Sequence, residues 1–202
     1  MKKSLEVVFG DGKHSIQAQL NGARGLLADI RGGYEAAVSR ALNRSLVSGR
    51  AAAVSAIRQE YAIKASKVRK RFSLERATRQ SLEGVLSAKG PNLPLSDFKF
   101  KPKEDTTGNA RKPVRVSVKN KGGLKRLGDS FVWKGLILKR VGTASLPVTA
   151  PKGPAVPILA GNPAVEQSVE AVMTTVFSER LDHEVTEIMR SGLKNRRGKQ
   201  DG

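Results

Sequence analysis

Cysteine is absent from this 202-residue chain. Its absence excludes disulfides, thiolate metal sites and a cysteine nucleophile. Only His14 and His183 offer imidazole chemistry, so the usual general-base and zinc arrangements lack their side chains. Aromatic residues make up 4% of the chain, and Tyr34, Tyr61, Phe72 and Trp133 lie far apart, which argues against a stacking platform for single strands. The longest apolar runs, such as Ala51 to Val54 and Leu136 to Leu138, fall far short of the roughly 20 residues that cross a bilayer. A soluble protein with no membrane partner is expected. Met1-Lys2-Lys3-Ser4-Leu5 leads into Glu6 and Gly10-Asp11-Gly12 instead of an apolar stretch, so it does not read as a secretion signal, and a reducing cytoplasm fits.

Acidic residues are also scarce. Lys and Arg number 37 against 18 Asp and Glu, a net charge of +19, which draws a chain toward nucleic acid, acidic membranes or acidic proteins. The length suits one domain with a sizeable core. Charge is uneven along it. From Arg40 to Arg71 nine basic residues oppose only Glu60, while from Pro163 to Met189 six acids oppose only Arg180. Such polarity suits complementary surfaces within one subunit or between neighbours, and a head-to-tail ring would repeat the contact. Arg40, Arg44, Glu166 and Glu170 are the candidate interface residues. Lys64, Lys67, Arg69, Lys70 and Arg71, five cations in eight residues, form the candidate patch for phosphates or a partner.

Periodicity predicts an α+β fold. Leu5, Val7, Phe9, the Gly10-Asp11-Gly12 turn, then Ile16, Ala18 and Leu20 suggest an N-terminal hairpin over residues 4–20. Apolar residues from Leu26 to Tyr61 recur every three or four positions, predicting one long helix or two broken near Ser48-Gly49. Uninterrupted over about 28 residues it would be about 42 Å long. Its alanines permit close packing. A short helix capped by Ser66 is expected over Ala65 to Arg71. From Phe72 to Pro157 short β-favouring runs predominate: Leu82 to Ser87, Val114 to Val118, Phe131 to Trp133 continuing into Leu136 to Leu138, and Leu146 to Thr149. Residues 99–125 read as a flexible basic loop region. A C-terminal helix should start at Pro163, with Asn162 as its N-cap, an apolar stripe of Val165, Val169, Val172 and Val176, and Met173, Phe177, Leu181, Val185 and Ile188 joining it. Residues 1–192 thus read as a single domain and residues 193–202 as a basic, disordered tail.

Familiar catalytic patterns are incomplete. Gly10-Asp11-Gly12 lacks the third glycine of a dinucleotide loop, and His183-Glu184-Val185-Thr186-Glu187 lacks the second histidine of a zinc protease helix. No phosphate-binding Gly-Lys-Ser/Thr loop and no Gly-x-Ser-x-Gly elbow occurs. The expectation is a non-enzyme with no catalytic residue, cofactor, metal or small-molecule substrate.

Two stretches are more specific. Ala41-Leu42-Asn43-Arg44, Ala56-Ile57-Arg58-Gln59-Glu60-Tyr61-Ala62-Ile63-Lys64, Val68 and Lys70-Arg71-Phe72 form the first. Phe131-Val132-Trp133, Gly135, Leu138-Lys139-Arg140, Leu146-Pro147-Val148 and Gly153-Pro154-Ala155-Val156-Pro157-Ile158-Leu159, followed by a long helix, form the second. In order and spacing, from about residue 38 to 190, they resemble the tailed-phage minor tail protein Z family of tail completion or neck proteins. The resemblance implies a structural virion protein at the head-proximal end of the tail, assembled in the host cytoplasm. It also implies a homo-oligomeric, sixfold ring flanked by tail terminator and head-tail connector proteins, in transient contact with phage DNA or the tape measure protein. Gly153, Pro154 and Pro157 are a family-like turn, read as structural. From the residues alone, a sequence-independent nucleic-acid-binding protein stands as the alternative.

Overall fold

Two long helices carry much of the chain. The computed structural model describes residues 6–10, 16–106 and 112–197, and the fold is α+β. In order come β1 (Glu6–Gly10), α1 (Gln17–Leu26), α2 (Gly33–Glu60), α3 (Ala65–Arg69), β2 (Phe72–Glu75), β3 (Glu83–Ala88), β4 (Asn92–Pro94), β5 (Lys99–Lys101), β6 (Arg115–Ser117), β7 (Lys125–Arg126), β8 (Ser130–Trp133), β9 (Leu136–Arg140), β10 (Val148–Thr149), β11 (Lys152–Ala155), α4 (Val156–Ala160) and α5 (Pro163–Arg197). Their contacts form two compact units.

The first, helical unit comprises the described residues within Leu5–Ala53, Phe72–Ser87 and Glu166–Gly202. Small residues recur every four positions along α2: Ala37, Ala41, Ser45, Gly49 and Ala53, all buried. Larger ones recur with the same step along α5: Val169, Met173, Phe177, Leu181 and Val185, also buried. The Ser45 hydroxyl donates to the Met173 carbonyl at 2.9 Å. Gly33 lies against Ile188, and Arg40 pairs with Glu184 at 3.1 Å. Residue numbers rise along one helix as they fall along the other, so the two run antiparallel. Because the α2 stripe has almost no side chain, the backbones approach closely, which explains why Gly49 is tolerated inside a helix that a glycine would otherwise weaken. The helix is therefore unbroken at Ser48-Gly49.

A three-stranded sheet, ordered β1-β3-β2, completes this unit. On its β3 strand, a Cβ at Gly84 would lie 2.6 Å from Leu46 Cδ1, so this glycine lets the strand lie on α2. The hairpin expected over residues 4–20 is not the observed pairing: β1 runs antiparallel to β3, from Glu6 opposite Ser87 to Gly10 opposite Glu83. Residues 17–26 are helical because Ile16, Leu20, Ala23 and Leu27, the buried set, follow a helical step, while Ala18 is exposed. The Asp11-Gly12 part of the supposed turn, and His14, lie outside the described residues. Gly192 does not end the last helix. It packs against Ile30, and α5 continues to Arg197, where a disordered tail is expected from residue 193; residues 198–202 lie outside the described residues.

The second unit comprises the described residues within Val54–Arg71 and Ala88–Val165. It holds two three-stranded sheets, β5-β6-β7 and β10-β9-β8, and the two-stranded β11-β4. Strands β8 and β9 are not one continuous run. They form a hairpin closed by Lys134 and Gly135, both at positive φ, the conformation of a tight two-residue turn. The region 99–125 is likewise not simply a loop, since β5, β6 and β7 pair in register within it; residues 107–111 lie outside the described residues. Helix α3 is shorter than expected and begins after Lys64, without a side-chain cap from Ser66.

At the end of α2, Asn120 Nδ2 donates to the Arg58 and Gln59 carbonyls at 2.8 and 2.9 Å, satisfying acceptors that a helix C-terminus leaves open. Asn162 caps α5 as the sequence predicts, accepting from the Ala164 amide at 3.1 Å, and its amide donates to Glu60. The family-like segment is not a turn. Gly153 and Pro154 lie in β11, and Pro157 occupies the first turn of α4, where a missing N–H costs nothing. An irregular register between Lys152 and Ala155 accommodates Pro154. A Cβ at Gly153 would stand 2.9 Å from the Phe98 ring, so close packing accounts for that glycine.

Candidate nucleic-acid interface

Net charge is concentrated in the second unit. Val54–Arg71 and Ala88–Val165 contain 21 basic and 5 acidic residues, a net +16. The remaining residues contain 16 basic and 13 acidic ones, a net +3.

Local structure decides which cations face outward. Helix α3 buries Val68 and leaves Lys67 and Arg69 exposed, with Lys64 and Lys70 exposed at its two ends. Lys67 is anchored by Asp97 at 2.9 Å. Arg71 is half-buried, its side chain lying over Gly90, so it contributes less open charge than the other four. The candidate patch is thus brought together by one helical turn and a half, with one of its members already paired.

A further group escapes sequence reading because pairing creates it. In the β5-β6-β7 sheet, Lys101 stands opposite Arg115, and Arg115 opposite Arg126. Residues directly opposite share a face. All three are exposed, whereas their neighbours Phe100 and Val116 are buried on the other face. Like charges in this arrangement oppose sheet formation. Among the described residues no ion pair with a carboxylate relieves them. Alternation of Lys99, Phe100 and Lys101 hints at a strand, but the row depends on a register no spacing reveals.

Lys103 extends the basic surface from the loop after β5. Its ammonium lies 3.4 Å from the Phe100 ring centroid, a cation–π geometry. Burial, with the Lys64 charge as the lesser cause, holds its pKa below the ordinary lysine value of 10.5.

Candidate interface residues belong to the helical unit. Arg44 and Glu170 are exposed and Glu166 is half-buried in the first turn of α5. Arg40 pairs with Glu184 of its own chain, so part of the basic–acidic complementarity is used internally.

No family model, curated protein or solved structure matches the chain. Function therefore rests on the residues. Among those described, no three His, Asp or Glu side chains are placed to hold a metal ion, and no helix is long and apolar enough to cross a membrane. His183 is exposed on α5.

Proposed function

We propose that this chain is a structural virion protein of a tailed bacteriophage, a ring subunit of the tail completion or neck region at the head-proximal end of the tail. It acts in tail assembly and head-tail joining, without catalysis, and DNA passes along its basic unit. The observation that carries this reading is the segregation of charge: +16 of the net +19 falls in Val54–Arg71 and Ala88–Val165. A subunit with one strongly basic unit and one nearly neutral helical unit has a surface for a polyanion and a separate one for neighbours. Arg44, Glu166 and Glu170 are the candidate contacts between copies, and a sixfold ring between terminator and connector proteins is the assembly.

Position in the particle tests it. A gold-labelled antibody against the chain should mark the head-proximal end of the tail. Label at the distal tip or on the capsid would refute the assignment.

The row Lys101, Arg115 and Arg126 also favours a second reading, a sequence-independent nucleic-acid-binding protein outside the particle. That protein would bind duplex with a steep salt dependence and would be missing from purified virions.

A further inference from the structure

A cleft of about 840 Å³ opens in the basic unit beside the β5-β6-β7 sheet. Lys112, Arg126, Lys139 and Arg140 line it, with Asp129 as the sole carboxylate among its described lining residues. Arg126 is shared: it ends the row of cations on the sheet and also faces this cleft. Asp129 holds a positive φ of 51°, a conformation that Asp tolerates better than most residues.

Arg140 supplies the decisive detail. Its Nε is buried and, among the described residues, has no hydrogen-bond partner. Its guanidinium lies 5.6 Å from the Phe131 ring centroid, a contact that restrains the planar fork. Buried N–H groups are almost always paired, and a charged donor left without an acceptor is costly. A planar guanidinium at the wall of a cationic cleft matches an oxyanion, above all a phosphate.

We propose that this cleft binds phosphate groups of a duplex nucleic-acid backbone. Arg140 contacts one phosphate through its guanidinium, and Lys112, Arg126 and Lys139 neutralise that phosphate and its neighbours. Two features select a polymer over a free anion. The cleft is larger than one phosphate requires, and the cations continue through Arg126 to Arg115 and Lys101 outside it. A ligand that meets both must be extended and repeatedly charged. Aromatic side chains are too few to stack a series of unpaired bases, which favours a duplex. The inference rests on the reading that DNA passes along the basic unit, and it names the residues that would touch it.

The test is fluorescence anisotropy of the purified full chain with a short labelled duplex, titrated across salt concentrations. The double variant Lys139→Gln with Arg140→Gln should bind about tenfold more weakly at low salt, with a salt dependence shallower by about two charges. Arg140→Lys should recover only part of the loss, because it restores charge without the fork. Arg126→Gln, at an exposed position, provides a second variant should the double one fail to fold by circular dichroism. Unchanged affinity and salt slope in folded variants would overturn the proposal, as would protection by inorganic phosphate against heat with no duplex binding. Either result would leave the position of the protein in the particle as a separate question, answered by labelling.

Discussion

Gly49 of α2 lies so close to Met173 of α5 that a Cβ on the glycine would stand 2.6 Å from both Cγ and Sδ of the methionine. The closeness of the antiparallel pair depends on this contact. Gly49→Ala should therefore destabilise the protein. Alanine gains about 1 kcal/mol of helix propensity, but overpacking a full core costs about 1–3 kcal/mol, leaving a net loss of about 1 kcal/mol in urea unfolding. Gly49→Val should cost more. Equal or higher stability for the alanine variant would show that Met173 can swing clear.

Asn43 fastens the chain after β2 to the same helix. Its amide donates to the Ala77 carbonyl at 2.9 Å and its carbonyl accepts from the Ala77 amide at 3.0 Å. Asn43→Ala leaves both main-chain groups of buried Ala77 unpaired and should cost about 1–3 kcal/mol. Asn43→Asp keeps the acceptor alone and should fall between the two in the same unfolding measurement.

These helices were legible in the sequence for a physical reason. A step of three or four apolar residues survives over many turns in α2 and α5, and Asn162-Pro163 is a local start signal that needs no tertiary partner. The strands were read less well. β4, β5, β7 and β11 span two to four residues, too few to establish a period of two. The segment after residue 15 admits both periods, and only burial of Leu20, Ala23 and Leu27 decides for a helix. The patch at Lys64 to Arg71 was visible because it is contiguous. The row Lys101, Arg115 and Arg126 was not, because only the register of three successive strands brings these cations side by side.

That row separates stability from binding. Arg115→Glu would place a carboxylate directly between two cations, and each opposite-charge cross-strand pair contributes about 0.2–1 kcal/mol. The variant should unfold at higher urea than the natural protein while binding duplex more weakly. Loss of stability would show that the three cations do not repel one another across the strands, and unchanged duplex affinity would show that the row is not a polyanion surface.

Lys103 gives a pH-dependent check. Its folded-state pKa is lowered by burial first and by Lys64 second, so protonation is disfavoured in the native state relative to the unfolded chain. Stability should therefore carry the full penalty below the folded-state pKa and recover as pH rises from that value toward 10.5. Lys64→Gln should raise the Lys103 midpoint, followed by NMR of the side-chain ammonium. A midpoint that does not move would place the two charges out of reach of each other.

The central claim is that this chain is a fixed structural part of a tailed-phage particle. Quantitative mass spectrometry of intact virions and isolated tails, with a tail protein of known copy number as reference, tests it most directly. A low, constant copy number equal to a multiple of six in both preparations is the predicted result. Absence from both would contradict the account and leave a free nucleic-acid-binding protein in its place.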